Sequence, residues 1–195
     1  MPTANAPFGF RPVGPILRAN YYFITGDNSA VFLNDPVVIS GSANTAEVSA
    51  VGAGTRAVGT LPSVVRSTAG SSGRVTGAVI GFCPVNNESA NYRANSTDMI
   101  LLVADDPQQL FEVQMDSTSA ATEISGDADF TLGTGSTYTG LSGAELTGAP
   151  AASATAQFRV HHLKPQPNNE LTTGFPIVVG RFKLHTEGAA AVAGV

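Results

Sequence analysis

Residues 110–116 read LFEVQMD, with Phe111, Val113 and Met115 alternating against Glu112, Gln114 and Asp116. A strand turns successive side chains to opposite faces, so this period of two predicts a half-buried β-strand. It is the clearest such signal in the chain, and the flanking segments repeat it. Upstream, MILLVADDP (99–107) predicts a buried strand ended by the turn Asp105-Asp106-Pro107. GRVTGAVIGFCPV (73–85) places Val75, Gly77, Val79 and Gly81 on one face, and Thr76, Ala78, Ile80 and Phe82 on the other. Its glycine-bearing face is expected against backbone or bulky neighbours. YYFIT (21–25) reads as a first short strand closed at Gly26-Asp27-Asn28, and AVFLNDPVVISG (30–41) as two apolar runs hinged at Asn34-Asp35-Pro36. Glycines break the weak alternation of residues 47–70 into short strands with bulges. Downstream, AQFRVHHLK (156–164) and PIVVGRFKLH (176–185) predict closing strands. In the last, Val178, Phe182 and Leu184 share a face opposite Arg181, Lys183 and His185.

Composition agrees with this pattern. The chain has 195 residues, 21 of them Gly and 12 Pro, with only 13% charged and few strong helix formers. The expectation is a mainly β protein of seven to ten short strands, an antiparallel β-barrel or sandwich. One β-rich domain spans 21–185. Within it, the Ser/Thr/Gly-rich residues 117–155 are expected to form a long irregular excursion or small subdomain, with one short helix near 119–125 or 141–147. Residues 86–97 read as a polar loop and 186–195 as a flexible tail.

The first 20 residues stand apart as an extended N-terminal arm. Pro2, Pro7, Pro12 and Pro15 deny it helix or central-strand structure, yet Phe8, Phe10, Val13, Ile16 and Leu17 are apolar. Two uses remain open: the arm folds back over its own barrel and covers an edge, or it is a pre-stiffened clasp for another subunit. As a clasp, Phe8, Phe10 and Val13 are the anchors, on a backbone shaped by Pro12, with Arg11 available to an acidic neighbour. Its deletion is then expected to leave a folded protein.

Charge is unevenly distributed. Residues 1–94 hold six Arg against four acids; 95–156 hold nine acids and no Lys or Arg; 157–195 hold four cations against two acids. The acidic middle disfavours nucleic acid. It is either a solvated face, or a surface that meets the basic regions of a neighbouring subunit. No apolar run reaches the ~18 residues of a membrane span, and no basic region followed by an apolar run opens the chain, so we expect neither a membrane partner nor secretion.

No catalytic pattern emerges. His161 and His162 are adjacent on a strand and are expected on opposite faces, and neither they nor His185 has an evident third ligand. Gly52, Gly54 and Gly59 miss the phosphate-binding spacing, Asp127-Ala128-Asp129 lacks the rest of a calcium loop, and no G-x-S-x-G occurs. Cys83 lies in an apolar run and is expected as a buried small hydrophobe. We expect no enzyme, cofactor or metal.

Six segments occur in a telling order: PFGFRPV, NDPVVISG, GRVTGAVIGF, VADDPQQLFEVQ, FRVHHL and IVVGRFKLH. Together the chain resembles the capsid decoration, or cement, proteins of tailed bacteriophages. The resemblance implies a β-rich virion protein on the outer surface of the head, made in the host cytoplasm, binding the major capsid protein and commonly trimeric. It supplies no site residues. The alternatives are another virion part (neck, tail or shell) or a glycan-binding domain of a fibre, although the chain has no Trp and only four Tyr for a sugar platform.

Overall fold

The computed structural model describes residues 4–26, 29–70, 73–85, 91–148 and 155–187. Its strands are β1 (Arg11–Pro12), β2 (Ala19–Ile24), β3 (Val31–Phe32), β4 (Pro36–Ala43), β5 (Val48–Ala50), β6 (Gly54–Arg56), β7 (Pro62–Arg66) and β8 (Gly77–Pro84). They continue as β9 (Tyr92–Arg93), β10 (Met99–Ala104), β11 (Phe111–Gln114), β12 (Asp127–Ala128), β13 (Phe130–Gly133), β14 (Gly143–Leu146), β15 (Phe158–Leu163) and β16 (Ile177–Phe182). The chain is mainly β, with one 3-10 turn, Ala121–Glu123, among the described residues.

Two units make the frame. Strands β10-β2-β7-β4-β8 close into a small barrel, while β1-β11-β16-β15-β12 form an open sheet that is antiparallel throughout. In the barrel only β2 and β7 run parallel, Phe23 beside Ser63. Closure removes the barrel's edges, and each edge of the open sheet is a strand of two residues, too short to template further pairing.

Alternation sorts the core into layers. One face of each barrel strand fills the interior: Tyr22 and Ile24 with Val37, Val64, Val79, Met99, Leu101 and Val103. The inner face of the open sheet contributes Phe111, Val113, Phe158, Val160, Val178 and Phe182, packed with Val75, Ala78 and Ala104 at the barrel wall. A third cluster, including Ile100 and Cys83, lies beneath the β5–β6 hairpin. Each fully buried large apolar side chain contributes about 1.5–3 kcal/mol. Gly77 has its expected close backbone neighbour: a Cβ there would lie 2.0 Å from the Ala104 carbonyl oxygen.

Several expectations need correction. The register of β8 against β10 skips Ile80, pairing Leu102 with Gly81 and Val103 with Val79. This bulge slips the two-residue phase, so Val79 and Phe82 both face the barrel interior while Ile80 packs against the sheet cluster. The 117–155 stretch is not merely an excursion. Its 3-10 turn falls in the first of the two expected helical regions, but 141–147 holds β14, and Ala128, Phe130, Ala144 and Leu146 join the sheet core. At the start of β14 no side chain fits; the Cβ of any replacement for Gly143 would come within 2.4 Å of the Thr134 carbonyl oxygen. Part of the 86–97 loop is strand, since Tyr92 and Arg93 pair with Phe32 and Val31. His185 is buried, beside Val75, instead of facing solvent with Arg181 and Lys183. Residues 188–195 of the expected tail lie outside the described residues, whereas the Thr186 amide donates to the Val75 carbonyl at 3.0 Å.

The Asn34-Asp35-Pro36 hinge is a buried junction. Asn34 holds a φ of 68°, a conformation Asn tolerates better than most residues. Its carbonyl accepts from the Phe10 amide at 2.9 Å, its amide donates to Val79 at 2.7 Å, and its side chain donates to the Phe8 carbonyl at 2.9 Å. Asp35 accepts from the Phe32 amide at 2.9 Å, from Arg66 at 3.0 Å and from the Ser142 hydroxyl. Burial is the largest influence on this carboxyl and raises its pKa, against the opposing pull of Arg66 and its hydrogen bonds. Arm, barrel and β13–β14 hairpin are joined here.

Candidate functional site

The arm and the open sheet it borders form the candidate site. Phe10 is fully buried, its ring 4.8 Å from that of Phe182 and 5.4 Å from those of Phe130 and Phe158. Gly9 permits this approach: its φ is 74°, and a Cβ would meet the Asn34 carbonyl oxygen at 2.5 Å. Phe8 is nearly buried, with the Arg11 guanidinium 4.7 Å above its ring. Arg11 is exposed and pairs with Glu112; Pro12 sits opposite Phe111 at the sheet edge, where a missing N–H costs nothing. The Val13 amide donates to the Leu110 carbonyl at 2.8 Å.

These contacts decide between the two uses of the arm for its Phe10 anchor, which is spent inside its own chain and is not available to a neighbour. Removal of residues 2–17 would take this ring out of the core of the open sheet. The arm also satisfies the polar side of β11. Gln114 accepts from the Ala6 amide and donates to the Ala4 carbonyl, both at 2.8 Å. The arm's exposed large apolar side chains lie in the next turn, Gly14 to Leu17, with Ile16 43% and Leu17 54% exposed. The Leu17 amide is held at 2.9 Å by the side chain of Gln109, and the neighbouring Gln108 accepts from Arg181.

The outer face of the open sheet is charged. Glu112 is flanked by Arg11 and by Lys164 at 2.5 Å; Asp127 is flanked by Arg159 and by Lys183 at 2.5 Å. Both carboxylates are largely buried under their cations. For Asp127 burial is the largest influence and acts upward, but the hydrogen bonds from Arg159 and Lys183 prevail and its pKa is lowered. Arg181, set opposite Arg159 in the register, brings the face to five cations over two carboxylates. A second bulge skips His161, pairing Val160 with Gly180 and His162 with Val179. As a result His161 and His162 are both exposed, contrary to the opposite faces that regular alternation predicts. His161 is held below the ordinary imidazole pKa by burial and then by Arg181, His162 and Arg159. Among the described residues, no three His, Cys, Asp or Glu side chains are grouped to hold a metal.

A separate buried network went unread in the sequence. Asp105, assigned only to a turn, accepts from Arg18 at 2.9 Å, Asn20 at 2.8 Å and the Tyr22 hydroxyl at 2.7 Å. Burial raises the Tyr22 pKa most, followed by that hydrogen bond, and Arg18 is raised by its hydrogen bonds to Glu187 and Asp105. The run of polar residues at alternate strand positions, Arg18, Asn20 and Tyr22, was the available signal. These groups support the barrel end adjoining Ile16 and Leu17.

No protein-family model, curated protein or solved structure matches the chain.

Proposed function

We propose that the protein is a structural component of a virion, a decoration protein that binds the outer surface of a tailed-phage head and reinforces contacts between major capsid subunits. The ordered set of six motifs carries this reading. Those motifs supply or border β1, β4, β8, β10, β11, β15 and β16, seven of the ten strands that build the barrel and the open sheet. The resemblance therefore rests on framework elements, not on connecting loops. A homo-oligomer, with three copies favoured, belongs to the same proposal.

Attachment needs apolar surface on a backbone that loses little freedom on binding. Ile16 and Leu17 meet this need, because Pro15 restricts the unbound turn and Gln109 holds it. Covering both side chains contributes about 1.5–3 kcal/mol each at most, multiplied over many copies on a head. The test uses expanded heads lacking the protein, incubated with purified chain, sedimented, and imaged at low dose. We expect density on the head surface, and at least about tenfold weaker binding for Ile16→Ser/Leu17→Ser at unchanged melting temperature. Density confined to neck or tail, or no co-sedimentation, refutes the assignment.

A further inference from the structure

We propose that the basic outer face of the open sheet is a self-association surface, taking the acidic side of a second copy of this chain. The face carries five cations over two carboxylates, in a chain whose total is 10 Lys and Arg against 15 Asp and Glu. The rest of the chain therefore holds five cations against 13 carboxylates. Charge of the complementary sign is thus concentrated on every other copy of the molecule.

The acidic counterpart lies around the end of β14. Asp116 joins it: its amide donates to the Leu146 carbonyl at 2.8 Å and its carboxylate accepts from the Gly148 amide at 2.8 Å. With Glu145 it makes two carboxylates that form no ion pair among the described residues. Glu145 has its pKa raised by burial and by the charge of Asp116, so a cation brought to this place relieves a repulsion already present.

Sign dictates the geometry. Two basic faces repel, so the contact cannot be a two-fold pairing of this face with itself. It joins basic face to acidic side, either reciprocally about a two-fold axis or head to tail, and head-to-tail contacts close into rings or continue as open chains. Like charges placed across an interface cost several kcal/mol, which makes the arrangement selective. This association is a property of the purified protein alone and does not depend on head binding.

The test is sedimentation velocity over a range of concentration and salt. Wild type is expected to associate at low salt and to dissociate as salt shortens the screening length from about 10 Å at 0.1 M to about 3 Å at 1 M. Arg181→Glu and Glu145→Lys should each weaken association by at least about tenfold. The two reversals combined in one chain should restore it. The salt response of the unaltered protein keeps the proposal testable should a variant fail to fold. A wild type that stays monomeric at low salt overturns the proposal, as does association indifferent to salt or to Arg181→Glu. Retention of monomeric protein on immobilised double-stranded DNA would reassign the face to polyanions and equally overturn it.

Discussion

Replacing Phe10 by Ala separates an arm that belongs to the core from an arm that waits for a partner. Phe10 has no exposed surface and lies within 5.4 Å of three other phenyl rings. Truncating a buried Phe to Ala costs about 3–5 kcal/mol in lost burial and residual cavity. Ring pairs add about 0.5–1.5 kcal/mol each beyond area, which places this site toward the upper end, about 4–5 kcal/mol. Relaxation cannot easily refill the space, because Gly9 and the Asn34 junction hold the backbone on one side and Arg11 is tied to Glu112 on the other. In a domain of this size 1 kcal/mol moves the melting temperature by about 2–4 °C, so a fall of about 8–20 °C is expected. Urea unfolding followed by tyrosine fluorescence and a thermal melt by circular dichroism measure both quantities on the isolated chain. Arg11→Ala serves as a control from the same arm; Arg11 is half-exposed and Glu112 keeps its pairing with Lys164, which predicts a loss of about 1 kcal/mol. A Phe10→Ala loss as small as that of the control would refute the account of the arm as part of the core.

Asp105→Ala leaves the buried Tyr22 hydroxyl without its acceptor and removes one partner of Arg18, so unfolding free energy should drop by about 2–3 kcal/mol, Arg18 being partly compensated by water. Combining it with Tyr22→Phe tests the network, and strict additivity in the double-mutant cycle would show that the two do not communicate. Burial holds His185 below the ordinary 6.5. As pH falls through that value the unfolded chain gains a proton that the folded chain does not, so stability is full above it and declines below it, until the folded value is reached. His185→Gln should flatten stability against pH between about 7 and 5, leaving a weaker slope of the same sign from exposed His161; identical slopes in variant and wild type would remove His185 from the account.

Strands were legible where alternation ran unbroken. Phe111, Val113 and Met115 are buried as their spacing predicts, and so are Val178 and Phe182, but Glu112 and Gln114 on the polar face of β11 are covered as well, by their cations and by the arm. The failures share a physical cause: a bulge adds one residue without leaving a mark in composition. Ile80 and His161 each reverse the parity of the strand residues beyond them, which is why Phe82 and the histidine pair were assigned to the wrong faces. The small residues of 127–146 resembled a linker because packing close to backbone and packing nothing select the same side chains. The charged face was only half visible. Its cations could be counted along the chain, but assembling Arg11 with Lys164 on Glu112 requires the pairing of β1, β11, β16 and β15, which are far apart in sequence.

The order of strands in the open sheet also sets an order in time. The arm leaves the ribosome before every strand it packs against, and Phe10 finds Phe130, Phe158 and Phe182 only once Phe182 has been made. Barrel strands β2, β4, β7, β8 and β10 are complete by Ala104 and can close while synthesis continues. The sheet cannot. Its nucleus must wait for the last strand and then bring together ends separated by more than a hundred residues, the kind of contact that slows folding most. Until then Phe8 and Phe10 are exposed on the nascent chain, and the prolines around them keep that waiting segment from pairing as a strand with its neighbours.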